Sequence, residues 1–208
     1  MTSLKLKYWN VLSLSLAILL TTGCGTTPPS RYYMLNSIPQ AASEDSHDRS
    51  NKNAVQIGIG PVTFPKYLDR YSIVIRSEGA EVVINDLQQW AEPLADNFTH
   101  VMSDNLYQLI DGAETSIYPW QNQSNVDYQV VIDVLRFDAD VSNTVVLNTR
   151  WTIYNASGKQ ALFHKNSMLK EQAANQEYET LVSAQSKVLE YLSREIAAKL
   201  KEIIARSN

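Results

Sequence analysis

Cysteine and histidine are scarce in this sequence of 208 residues. The single cysteine, Cys24, excludes an intramolecular disulfide bond. The three histidines, His47, His100 and His164, share no metal-ligand spacing, so we expect no metal site. A G-x-S-x-G elbow, a phosphate-binding glycine loop and an H-E-x-x-H helix are also missing. The sequence therefore predicts a protein that is not an enzyme, with no catalytic residues and no cofactor.

Clusters of positive charge are missing as well. The 18 lysines and arginines are outnumbered by 22 acidic residues, which gives a formal net charge of −4. Loss of an N-terminal segment that contains Lys5 and Lys7 would bring the charge to −6 (−4 − 2). Binding to a phosphate backbone needs clustered lysine and arginine. We therefore expect no nucleic acid among the partners.

The N-terminal 23 residues have the three parts of a secretory signal. Residues 1–10 carry two lysines and no acid, residues 11–20 are mostly apolar, and small residues follow as far as Gly23. Ten helical residues span only about 15 Å, whereas the hydrocarbon core of a bilayer is ~30 Å thick. The segment is thus predicted to be a cleaved signal peptide and not a transmembrane helix.

The small residues that end in Gly23 and Cys24 resemble the lipobox that lipoprotein signal peptidase cleaves. The resemblance implies cleavage between these two residues, a diacylglyceryl thioether on the Cys24 sulfur, and acylation of the new amino group by a chain such as palmitate. Thr21 stands where such boxes usually have leucine. Gly25 follows the cysteine, and the absence of aspartate there favours the outer membrane over the inner one. A lipid anchor on the periplasmic face of the outer membrane is the expected location.

The remaining chain is predicted to be a single domain. We divide the sequence into a lipoprotein signal peptide (1–23), a lipidated tether (24–30) and a folded domain (31–208). The stretch near 36–53 is polar and lacks apolar periodicity, so it is predicted to be a flexible loop.

Apolar spacing predicts the elements of this domain. Alternating or β-rich segments predict strands at 31–35, 55–59, 71–76, 81–84, 128–137, 145–154 and 160–169. Apolar residues three or four apart predict one helix from about 93 to 110 and another from about 178 to 205. Clustered strands with helices over one face indicate an α+β fold. We expect a mixed or antiparallel sheet with two main helices packed on it, following the N-terminal lipoprotein signal peptide.

Several short motifs occur in an order that is typical of one family. They include the residues Tyr32, Tyr33, Leu35, Pro61, Pro65, Tyr67, Leu68, Trp90, Pro93 and Leu94. In this combination the sequence resembles the PqiC family, the ABC-type transport auxiliary lipoproteins. The resemblance assigns these residues no chemical role, so a structural or partner-binding one is expected. We expect Pro61 and Pro65 to shape the exit from a strand, and Trp90 to pack the start of the first helix against the core.

The resemblance also implies a function. It predicts an outer-membrane component of a Pqi-type system, in which a periplasmic MCE-domain protein bridges the two membranes and lipids move along it. This system maintains envelope integrity. A homo-oligomeric ring around the MCE-domain partner is also expected.

Two other functions remain open at this point. The chain could be a lipoprotein scaffold of another envelope machine, such as a secretion or cell-wall complex. It could also be an envelope hydrolase whose catalytic groups converge from distant positions. Asp138 and Asp140 follow the strand predicted at 128–137, and on a continuous strand they would share one face, where they would form either a solvated strand end or a cation site.

Overall fold

The computed structural model describes residues 28–40, 54–77, 79–120 and 126–207. Within these ranges the chain forms a mixed eight-stranded sheet and two α-helices, which confirms the predicted α+β fold. The elements are β1 (Arg31–Tyr33), β2 (Val55–Thr63), β3 (Ser72–Arg76), β4 (Val82–Trp90), α1 (Leu94–Leu109), β5 (Ala113–Ile117), β6 (Tyr128–Asp140), β7 (Thr144–Asn155), β8 (Ala161–Gln172) and α2 (Tyr178–Ser207). A short 3-10 helix, Lys66–Leu68, lies between β2 and β3.

The long strand β6 organises the sheet. On one side it pairs in parallel with β2 near its start and with β3 near its end. On its other side it forms an antiparallel meander with β7 and β8. Strand β5 adds to β2 in parallel, while β4 pairs antiparallel with β3 and parallel with β1. The sheet is therefore mixed, and β1 and β4 lie at one end of it.

Both helices pack on the same face of the sheet and on each other. Helix α1 contacts β2 and β5, and α2 contacts β6, β7 and β8. The predicted apolar stripes are buried, with Phe98, Met102 and Leu106 of α1 fully enclosed. Phe98 meets Phe137 of β6 edge to face, with ring centroids 5.6 Å apart. The core thus fills the space between one helical layer and the sheet. None of the helices in the described ranges is long and apolar enough to span a membrane.

The structure corrects some predicted boundaries. Trp90 is the last residue of β4 and not part of the helix start, although it packs on the core as expected at 3% exposure. Pro61 lies inside β2, which continues to Thr63 with a register shift between Ile59 and Val62. Pro65, in contrast, does follow the end of that strand and precedes the 3-10 helix. Strand β5 was not predicted at all.

Candidate functional site

The motif residues of the first and fourth strands lie side by side. Tyr33 is opposite Trp90 in the parallel pairing of β1 and β4. The amide of Ala91 donates to the carbonyl of Tyr33 (2.9 Å), and the amide of Trp90 donates to the carbonyl of Tyr71 (2.7 Å). Residues that are far apart in sequence are therefore joined at the end of the sheet from which α1 begins.

After β1 the chain crosses the helical layer as an arm, defined here as residues 34–40. Its backbone amides are held by three side chains. The backbone amide of Leu35 donates to Asn97 Oδ1 in α1 (2.7 Å), and the backbone amide of Ile38 donates to Asn105 Oδ1 in the same helix (2.8 Å). The first residues of the predicted flexible loop are thus fixed on the helices, while residues 41–53 lie outside the described ranges.

The third of these bonds ties the arm to the other helix. The amide of Asn36 donates to the Oγ atom of Ser186 in α2 (3.0 Å). The two asparagines of α1 are themselves positioned, because Asn97 donates to Glu92 Oε1 (2.7 Å) and Asn105 donates to Ser193 Oγ (3.0 Å). The arm therefore bridges α1 and α2.

A cleft of about 530 Å³ lies between the loop that follows β2 and the first turn of α1. Its apolar wall includes Phe64, Leu68, Pro93 and Leu94, of which Leu68 and Leu94 are buried. Lys66, Asp69, Arg70 and Tyr71 line its more open part. Residues from two separate sequence motifs thus form one surface feature, which we call the motif cleft.

A buried ion cluster fixes one side of the motif cleft. Asp138 on β6 is fully buried and accepts three hydrogen bonds, from Tyr67 Oη (2.8 Å), Arg76 Nη2 (3.0 Å) and Arg136 Nε (2.7 Å). The Asp138 carboxylate therefore forms ion pairs with two guanidinium groups. Asp138 belongs neither to a solvated strand end nor to a cation site, and Asp140 instead accepts bonds from Ser142 and Thr144.

Tyr67 connects this cluster to the motif cleft. Burial, together with the hydrogen bond to the Asp138 carboxylate, raises the pKa of Tyr67 to about 12. The phenol therefore stays protonated and remains a donor at neutral pH. Because Tyr67 is in the middle of the 3-10 helix, its bond to β6 also holds Lys66 and Leu68, which line the cleft. Sequence reasoning missed this role, since the partners of Tyr67 are distant along the chain.

The other candidate residues are dispersed. Gly23 and Cys24 lie outside the described residues. Tyr32 is 64% exposed on β1, while Tyr33 donates from its hydroxyl to Gln88 Oε1 (2.6 Å). His100 is exposed on α1. Across the described ranges, no group of three or more His, Cys, Asp or Glu side chains could hold a metal ion.

Comparison with solved structures identifies proteins of the same fold. One crystal structure of an uncharacterized protein is 18% identical, with a TM-score of 0.68, and the alignment covers 83% of this chain and 99% of that one. A DUF330 protein from Xanthomonas campestris is 14% identical, with a TM-score of 0.61 and coverage of 80% and 92%. At these identities the likeness shows the fold alone. No curated protein matches the sequence significantly.

A match to a family model carries more weight. The model described as the ABC-type transport auxiliary lipoprotein component matches residues 33–197, which include the arm, the motif cleft and the buried ion cluster. The match spans well over half of the 208 residues and agrees with the resemblance seen in the motifs. This chain therefore belongs to the family of ABC-type transport auxiliary lipoprotein components.

Proposed function

We propose that this protein is an outer-membrane lipoprotein, anchored through Cys24 on the periplasmic face, that acts without catalysis in a Pqi/MCE-type lipid transport system. The role of the family as an auxiliary transport component supports this proposal. In the proposed system, the chain binds a periplasmic MCE-domain protein, and lipids move along that partner between the membranes. The complex maintains envelope integrity.

One observation carries the proposal: residues 24–30 lead into β1, which is connected through β4 to Tyr71 at the motif cleft. Arg31, the first residue of β1, is seven positions after Cys24, and a chain of seven steps reaches at most about 25 Å. Strand β1 pairs with β4, whose last residue is bonded to Tyr71 at the cleft. A lipid on Cys24 would therefore keep this part of the domain close to the bilayer.

The surface around the motif cleft suits a protein partner. The side chain of Lys66 is 94% exposed, and Tyr71 is 53% exposed, so a basic group and an aromatic ring are offered together. Tyrosine and arginine are enriched at protein interfaces, and Arg70 lies between these two residues. We infer that the MCE-domain partner contacts this surface. Several copies, arranged as a ring, could do so around a hollow partner.

Affinity purification tests the proposal. The full-length protein would be captured from solubilised membranes as wild type, as Lys66→Glu, and as Lys201→Glu, a matched charge reversal at an exposed position of α2. We expect the wild type and Lys201→Glu to recover an MCE-domain protein, and Lys66→Glu to recover less of it.

The possible contrary results are distinct. If the wild type recovers no MCE-domain protein and a deletion strain keeps normal envelope integrity, the proposed function is wrong. Recovery of secretion or cell-wall components would instead favour the scaffold function. Equal recovery by both lysine variants would show that the partner binds elsewhere on the domain.

A further inference from the structure

We propose that the motif cleft binds one acyl chain of a glycerophospholipid, whose phosphate is held by Arg70 at the cleft mouth. This inference rests on the proposed function, because it takes the bilayer to be within reach of the cleft. It adds a direct lipid site to a domain whose expected role is only to bind a protein partner.

The wall of the cleft is apolar and preformed. Leu68 and Leu94 have 5% and 3% exposure, and both line the cleft. Phe64 lies beside them and packs edge to face on Phe98 of the core, with ring centroids 5.3 Å apart. Apolar, largely preformed pockets with a few polar groups are typical of small-molecule sites. An acyl chain could therefore enter without rearrangement of the core.

The size of the cleft favours a thin, flexible occupant. The cleft volume of about 530 Å³ lies within the range of about 300–1,000 Å³ that is typical of small-ligand pockets. A helical segment of a partner longer than about one turn would exceed this volume. A single hydrocarbon chain would fit, and burial of its methylene groups would supply the driving force.

The charge at the mouth selects an anionic head group. The Lys66 Nζ atom is 3.3 Å from Asp69 Oδ2, so these two charges compensate each other. Arg70 donates from Nε to the backbone carbonyl of Tyr67 (2.9 Å) and forms no ion pair within the described ranges. Its terminal nitrogens remain available, and a guanidinium group matches the geometry of a phosphate. The acyl chains on Cys24 carry no phosphate, so a phospholipid is the better occupant.

Site-specific photo-crosslinking in cells tests this inference on the full-length protein. A photoreactive amino acid would replace Tyr71 at the cleft, or Tyr32 on β1, in cells whose phospholipids carry radioactive phosphorus. Both side chains are exposed, by 53% and 64%, but Tyr32 is closer to the tether and reports simple proximity to the bilayer. We expect a phosphorus-labelled adduct at position 71 that is severalfold stronger than the adduct at position 32.

Further variants test the site itself. Ala95→Phe, in the cleft, should abolish the adduct at position 71, whereas Ala198→Phe, on the exposed side of α2, should preserve it. Arg70→Gln should weaken the adduct about tenfold, the equivalent of one charge-assisted hydrogen bond. Because Arg70 is exposed, this variant does not depend on repacking of the core.

Several results would overturn the inference. A phospholipid site in the cleft would be excluded by equal labelling at positions 32 and 71, or by labelling that survives Ala95→Phe and Arg70→Gln. It would also be excluded by an adduct that lacks phosphorus, or by no adduct. Recovery of the MCE-domain protein by the wild-type chain, measured in parallel, separates this failure from that of the proposed function. If the wild-type protein recovers the partner but position 71 gives no phosphorus-labelled adduct in the otherwise unchanged chain, the lipid site alone is overturned.

Discussion

Removal of the charge on Asp138 should strongly destabilise the fold. In Asp138→Asn the two guanidinium groups of Arg76 and Arg136 would face each other without the carboxylate that joins them. Breaking a buried ion pair by removal of one partner typically costs about 3–5 kcal/mol. Both arginine side chains are 27% exposed, so water offers some compensation and we expect a loss near the lower end, about 3 kcal/mol.

Two variants provide a scale for this effect. Tyr67→Phe removes one of the three hydrogen bonds to Asp138 but leaves both arginines in place, so the loss should be about 1 kcal/mol. Asp111→Asn makes the same chemical change as Asp138→Asn at an exposed position, where a change of about 0.5 kcal/mol or less is expected. Urea unfolding followed by tryptophan fluorescence would measure all three. The reasoning is refuted if Asp138→Asn lies within about 1 kcal/mol of the wild type, or if Tyr67→Phe costs more than Asp138→Asn.

Three further predictions concern titration, the arm and the anchor. The pKa of Tyr67 is raised from 10.0 to about 12, so the contribution of its neutral phenol to the free energy of unfolding is fully present below pH 10 and is lost as the pH rises through 12. Urea unfolding at alkaline pH should show the free energy of unfolding falling by up to about 1.4 kcal/mol per pH unit, and less steeply in Tyr67→Phe. Asn97→Ala leaves the buried amide of Leu35 without its acceptor, which should cost about 1–3 kcal/mol and speed hydrogen exchange at that amide; unchanged protection would contradict the role of the arm. Cys24→Ser should leave the domain folded but release it from the membrane or leave an uncleaved precursor, and unchanged palmitate labelling would count against the lipid anchor.

Local patterns were sufficient for much of this fold. The apolar stripe that follows Pro93 predicted α1, because buried residues recur on one side of a helix. The turn at Asn155 and Gly158 predicted the β7–β8 hairpin, and the amide of Gly158 does donate to the carbonyl of Asn155 (2.8 Å). Strand β5 escaped prediction because Ala113–Ile117 is short and mostly polar, and its parallel pairing with β2 depends on tertiary contacts.

The candidate site was less accessible to sequence reasoning. The motifs indicated which segments matter, but not that the loop after β2 and the start of α1 form one cleft. The strand predicted at 128–137 extends to Asp140 and so includes both Asp138 and Asp140. The partners Arg76 and Tyr67, however, come 62 and 71 residues before Asp138. Sequence alone provides no signal for contacts over such separations. Asn97 provided a weak sequence signal, because its amide side chain interrupts an apolar stripe. In the structure this side chain is buried, at 3% exposure.

Intact mass spectrometry of the protein purified from its native membrane tests the central claim most directly. If the domain is held at the bilayer by lipid, the chain should begin at Cys24 and carry the added mass of a diacylglyceryl group and one further acyl chain. A chain whose Cys24 sulfur is unmodified would contradict the lipid anchor. The proposed location, and with it the nearness of the motif cleft to phospholipid, would then be wrong.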